Sequence, residues 1–181
     1  MKIKLFLDTS IPSAPFDLTK PMRKHITIQW FEKEAFKYDI YTSNLSIQEL
    51  HQWSNLTKQQ GALELLEKAT AQILPITPEI EQLAEQYIVR GAFPITEKYD
   101  ALHLACATLN DIQNFVSWDF KHIVSVNPIL KILEIHQKLK LPMMNINTLA
   151  PYGGNHYGIF EPEKFTKEKH KMEAFLNQVT K

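Results

Sequence analysis

The sequence predicts an α/β protein whose mostly parallel sheet is covered by helices, and three features predict it. Short apolar runs alternate with longer amphipathic segments along the chain. Two of those runs close on an aspartate. The hydrophobic fraction, 44% of 181 residues, suits one compact domain with a genuine core.

Residues 2–7 alternate charged and apolar side chains before becoming fully apolar at Leu5, Phe6 and Leu7, a strand pattern that stops at Asp8, Thr9 and Ser10. Pro12, Pro15 and Pro21 predict a loop after it. Residues 22–37 carry Ile26, Trp30 and Phe36 at loosely helical spacing, which predicts a helix. Residues 39–43 are β-branched and aromatic, a second strand, and Ser46 opens a helix through Leu50 and Trp53. Leu63, Leu66, Ala69 and Ile73 mark a further helix, and residues 74–76 a short strand. Pro78 suits the first position of a helix that runs to about Val89. Thr96 is placed to cap a helix over 97–109, where Ala101, Leu104, Ala105 and Thr108 repeat at three and four. Residues 114–118 read as a strand that ends at Asp119, 129–139 as a helix and 143–148 as a last apolar run. Pro151, Gly153 and Gly154 then begin a loop, so the domain is placed at 1–150. The remainder, 151–181, reads as a loop and an amphipathic tail helix around Phe165, Met172, Leu176 and Val179, which either docks on its own domain or meets a partner.

Composition removes several function classes. Twenty Lys plus Arg balance twenty Asp plus Glu, so net charge gives no field that draws the whole surface to nucleic acid or membrane, and any basic footprint must be local. Only five glycines are present, and none builds a Gly-rich loop for a dinucleotide or nucleoside triphosphate. No run reaches the roughly eighteen apolar residues that span a bilayer, and the first apolar run meets Asp8 before a secretory segment develops. A single cysteine, Cys106, rules out an internal disulfide, and no Cys/His spacing resembles a structural zinc site. The expectation is a cytoplasmic protein with no membrane segment.

The carboxylates carry the chemistry. In open parallel sheets, the loops at the carboxyl ends of the strands form a crevice where the strand order reverses, and Asp8 and Asp119 both close strands. Asp100 falls in the first turn of the helix before the Asp119 strand, and Glu49 in the first turn of the helix after the second strand. If all four converge, their repulsion must be offset by protons or a divalent cation, and hard oxygen ligands in this number suit Mg²⁺ or Mn²⁺ rather than zinc. Each acid also has a purely structural explanation. Asp8 and Asp119 suit turns that accept backbone amides, and Asp100 suits the positive end of its helix. Ser46-Ile47-Gln48-Glu49 spells a capping box, in which Glu49 reaches back to the cap's amide.

Leu5-Phe6-Leu7-Asp8-Thr9-Ser10, Leu45-Ser46-Ile47-Gln48-Glu49-Leu50, Tyr99-Asp100-Ala101-Leu102-His103-Leu104-Ala105 and Phe115-Val116-Ser117-Trp118-Asp119 together resemble the successive motifs of PIN-domain nucleases, especially the VapC-type toxins. The resemblance covers residues 3 to about 148, and the block from Asp100 to His122 is its most specific part. It implies a three-layer α/β/α domain in which Asp8, Glu49, Asp100 and Asp119 form an acidic quartet that holds Mg²⁺ or Mn²⁺ and supports RNA phosphodiester cleavage by metal-activated water. It also implies products with a 5′ phosphate and a 3′ hydroxyl, an antitoxin protein as partner, and a homodimer. Within the quartet, Asp8 and Asp119 read as direct ligands, Asp100 as direct or through water, and Glu49 as acting through water or on a second ion. The alternatives are a PIN-like module that binds RNA or protein without catalysis, and a small-molecule phosphoesterase using the same acids.

Thr9 and Ser10 either orient a bound water or satisfy turn amides. His103 reads as a hydrogen-bonding neighbour or a proton-transfer group, and its spacing from Cys106 is too poor a ligand set for zinc. Arg23, Lys24, His25, Lys121 and His122 are candidates for the RNA backbone, whereas Trp30, Trp53 and Trp118 read as packing residues. Two features depart from the family pattern: a longer loop from Ile11 to Pro21, and the tail beyond Pro151.

Overall fold

The computed structural model describes residues 1–153, and the expected tail helix lies outside them. Five strands, β1 (Ile3–Leu7), β2 (Tyr38–Ser43), β3 (Gln72–Leu74), β4 (Asn114–Val116) and β5 (Asn145–Asn147), form one sheet in the order β3-β2-β1-β4-β5. Every neighbouring pair is parallel. Parallel strands need crossovers, and the helices that supply them bury both faces of the sheet.

β1 shows the resulting layers most clearly. Leu5, Phe6 and Leu7 are fully buried, and the strand's period of two sends Phe6 to one face and Leu5 and Leu7 to the other. On the Phe6 face lie α5 (Pro78–Val89), α6 (Lys98–Leu109) and α7 (Val126–Leu139), which bury Tyr87, Leu104 and Ile135 there. Phe6 stacks on Phe115 of β4 at 5.4 Å. On the other face lie α1 (Ser10–Ser13), α2 (Pro21–Lys33) and α4 (Leu56–Lys68), with Ile11, Trp30 and Leu65. The eight-residue α3 (Asn44–His51) serves both layers, Leu45 packing in one cluster and Leu50 in the other. The fold is three-layer α/β/α, as the resemblance implies.

α6 is the most enclosed helix: Ala101 through Thr108 are all buried. Its small and apolar side chains fit a helix covered nearly all round. Tyr152 ties down the last described residues, its carbonyl accepting from the Trp30 indole at 3.1 Å and the Tyr38 hydroxyl at 3.0 Å.

Several boundaries differ from expectation for identifiable reasons. The segment after Asp8 is not a loop but α1 followed by a 3₁₀ turn, Ala14–Phe16. Pro12, Pro15 and Pro21 sit in first turns, where a missing amide costs no helical bond. α2 stops at Lys33, which leaves Phe36 in a separate 3₁₀ turn and exposed. α4 is shifted toward the N-terminus by its cap, Asn55, so Ile73 falls in β3 rather than in the helix. Thr96 makes no cap, because it lies within the 3₁₀ turn Ile95–Glu97 that precedes α6. α3 begins before Ser46: Ser43 is its N-cap and accepts from the Ser46 amide at 3.1 Å. The capping-box assignment of Glu49 is therefore wrong, and its carboxylate is not used to close the helix end.

Loss of a serine N-cap costs about 1–2 kcal/mol. Ser43→Ala is expected to lower unfolding free energy in urea by that amount, and Glu49→Gln to leave it within about 0.5 kcal/mol. The reverse ranking would restore the capping box.

Candidate active site

Asp8 directly follows β1, and its backbone amide continues the β1–β4 ladder by donating to the Val116 carbonyl at 3.0 Å. This adjacency of β1 and β4 brings residues more than a hundred positions apart to one sheet edge. Asp8 is 4% exposed. Its Oδ2 accepts hydroxyls from Ser10 at 2.6 Å and from Ser117 at 2.7 Å. Ser117 Oγ in turn accepts the Asp119 amide at 2.9 Å, and Ser10 Oγ accepts the Trp118 amide at 2.9 Å. Two hydroxyls thus tie Asp8 to the segment that carries Asp119.

Asp119 is held by its own turn. Its Oδ1 accepts the amides of Lys121 and His122 at 2.8 and 2.9 Å, and its Oδ2 meets His122 Nδ1 at 3.0 Å. Burial alone would raise this carboxyl, but the two amides and the His122 ring outweigh it and hold it below the ordinary range.

Glu49 points away from its helix end toward the β1 loop and α6. Its Oε2 accepts Thr9 Oγ1 at 2.5 Å and His103 Nε2 at 2.7 Å. A carboxylate only accepts, so Nε2 carries the proton, and Nδ1 is left to accept from Ser43 Oγ at 3.0 Å. The α3 cap therefore also holds in place a buried histidine that grips Glu49. Burial would raise Glu49, yet the hydrogen bonds from His103 and Thr9 keep it lowered. This pairing also removes His103 from any zinc site with Cys106, whose thiol is buried and pushed up to about 12.

Asp100 is the acid with no such support. Its Oδ2 is buried and has no hydrogen-bond partner. Burial first, then the charges of Asp8, Asp119, Glu97 and Glu49, push its carboxyl up to about 8. The other three sequence-predicted acids, Asp8, Glu49 and Asp119, are thus each within electrostatic reach of Asp100. A partnerless buried oxygen amid ionised carboxylates fits a hard divalent cation, which would displace the proton and supply the missing partner.

Two residues escaped the sequence reading of the acids. Ligand atoms of Glu97, Asp100 and His122 lie within 4.8 Å of one another, close enough to share an ion, and no three of the predicted quartet meet that spacing among the described residues. His122 bridges the site, with Nε2 3.6 Å from Glu97 and Nδ1 on Asp119. The available signal was spacing: Glu97 stands three before Asp100, and His122 three after Asp119. Thr9 and Ser10 serve the acids rather than turn amides alone, and the indoles of Trp30 and Trp118 are buried, as predicted.

A profile of the PIN domain matches residues 5–123. Among curated proteins, no sequence matches the chain. Among solved structures, the fold is similar to the crystal structure of VapC20 from Mycobacterium tuberculosis, a toxin that cleaves the sarcin-ricin loop. The TM-score is 0.52 at 20% identity, over 65% of this chain and 92% of that one.

Asp100 also links the site to stability. Its ordinary value is 3.8 and its folded value about 8, so the folded state holds this proton more tightly than the unfolded chain. The resulting stability is complete below the ordinary value and is lost as pH rises through the folded one. In chelator, the unfolding free energy from urea titrations should fall for the wild type between about pH 5 and 8, by on the order of a few kcal/mol, and far less for Asp100→Asn. Parallel curves for the two proteins would contradict the crowding of acids around Asp100.

Proposed function

This chain belongs to the PIN domain family, and on that premise we propose that it is a metal-dependent endoribonuclease, the toxin half of a toxin–antitoxin pair. The observation that carries the reading is Asp100: a buried carboxylate oxygen without a partner, at the focus of Asp8, Asp119, Glu97 and Glu49. The all-oxygen character of the four predicted acids favours Mg²⁺ or Mn²⁺. Asp8 and Asp119 would hold the ion directly, Asp100 directly or through water, and Glu49 through water or on a second ion. Glu97 and His122 stand close enough to Asp100 to complete the set. When bound, the ion supplies positive charge that acidifies a water and offsets charge on the phosphate and the leaving oxygen.

The protein's own residues do the positioning. Ser10 and Ser117 fix the orientation of Asp8, the turn amides of Lys121 and His122 fix Asp119, and Thr9 with His103 fixes Glu49. A carboxylate held by second partners keeps a ligating geometry that a free rotor loses. RNA as the substrate class is supported by the family and by the activity named for VapC20, whose fold this chain shares. An antitoxin protein as inhibitor and a homodimer as the working form complete the proposal. Among the described residues no helix is long and apolar enough to cross a membrane.

The test is cleavage of RNA by purified protein in Mn²⁺ or Mg²⁺, compared with chelator. Asp8→Asn and Asp119→Asn should each reduce cleavage by at least about 100-fold, as expected for loss of a ligand to an essential ion. Glu49→Gln should reduce it by about 10–100-fold. Cleavage that persists in chelator, or in both aspartate variants, would reject the reading. RNA that is bound but never cut, with no uptake of either ion, would make the chain a binding module instead.

A further inference from the structure

A nuclease centred on carboxylates repels its polyanionic substrate, so local cations and stacking surfaces must hold the RNA beside the acids. The chain's net charge of zero supplies no general attraction. Two exposed aromatics adjoin the acids in sequence, Tyr99 before Asp100 and Phe120 after Asp119, and Phe120 is the one paired with a cation. Phe120 directly follows Asp119 and is 46% exposed, and the Arg23 guanidinium lies over its ring, 4.9 Å from the centroid. A lone exposed phenylalanine is ordinary on a protein surface. What separates this one is how the pair is held.

The pair is anchored from inside. The Trp118 indole N–H donates to Thr27 Oγ1 at 2.9 Å, and Thr27 Oγ1 donates to the Arg23 carbonyl at 2.7 Å. Thr27 is fully buried and Trp118 nearly so. This relay fixes the first turn of α2 against the segment that carries Asp119. The Trp118 ring also lies 6.1 Å from that of Phe120. Among the described residues the Arg23 side chain makes no salt bridge, and its charge reaches Asp17 only as a weak influence. An arginine laid over an aromatic ring keeps its in-plane N–H donors available for a phosphate. Lys121, the next residue after Phe120, adds a second positive charge at the same edge.

We propose that Arg23 and Phe120 form a nucleotide subsite of this chain, in which single-stranded RNA leaving the acidic cleft stacks a base on Phe120 and sets a phosphate on Arg23. The inference rests on the ribonuclease reading above. Its ligand is an unpaired RNA nucleotide, recognised by its base face and backbone charge rather than by base-edge hydrogen bonds. The subsite therefore selects for single-stranded or splayed segments and tolerates base identity.

The probe is a fluorescein-labelled, mixed-sequence single-stranded oligoribonucleotide. Its binding is followed by anisotropy in chelator over a salt series, and its cleavage is followed in Mn²⁺. Phe120→Leu should weaken binding about tenfold, and Phe120→Trp should restore it. Arg23→Gln should weaken binding and flatten the plot of log affinity against log salt by about 0.7, while Phe120→Leu leaves that slope alone. In cleavage the loss should fall on KM more than on kcat. Phe120 is exposed and Arg23 partly so, and neither belongs to a core cluster, so thermal midpoints should hold. A wild type that cuts the probe while both variants bind and cut it equally well overturns the subsite and leaves the nuclease reading standing. A wild type that neither binds nor cuts overturns both. Weakened binding that Phe120→Trp fails to restore, with lowered thermal midpoints, overturns the subsite in favour of a structural role.

Discussion

Carboxylates gathered at the carboxyl ends of adjacent parallel strands repel one another, and the architecture around this site is organised to tolerate that repulsion. Asp119 and Glu49 are relieved by hydrogen bonds that favour their charged forms. Asp100 has no such bonds and absorbs the residual strain as a proton. A site with one acid held neutral by burial and by its charged neighbours is poised to exchange that proton for a cation, so its electrostatics and its proposed chemistry have the same origin.

The supports are shared between elements, which ties the site to the fold. Ser43 is the last residue of β2, caps α3 and hydrogen-bonds His103, which holds Glu49. Ser117 extends β4 and connects Asp8 to the Asp119 amide. Thr27 joins α2 to Trp118 and so places the first turn of α2 at the same sheet edge. Each of these hydroxyls both donates and accepts, a capacity that alanine or valine lacks at similar size.

Much of this was legible in the sequence. β1, β2 and β4 announced themselves because a strand buried on both faces reads as an apolar run that ends abruptly in polar residues, as Leu7 gives way to Asp8. The four acids were legible as a set because the motif blocks that carry them appear together and in order. The supports were not. Ser46-Ile47-Gln48-Glu49 fits a capping box locally, but the strand before it ends on Ser43, which reaches the helix amides first. Prolines at 12, 15 and 21 read as loop signals because their tolerance in first turns depends on where a helix begins, which local pattern did not fix. Ser117 beside Asp8 follows from the β1–β4 pairing, a long-range fact with no local signature. Glu97 and His122 carried only an i, i+3 spacing, which is common on helices and turns without any ion.

The central claim is that a cation and the Asp100 proton compete for one place. Calorimetric titration of the protein with Mn²⁺ at pH 7, in buffers that differ in ionisation enthalpy, counts protons released on binding. The account predicts binding with release of about one proton per protein, since a carboxyl held at about 8 is mostly protonated at that pH. Binding with no proton released, or no binding at all, would contradict it.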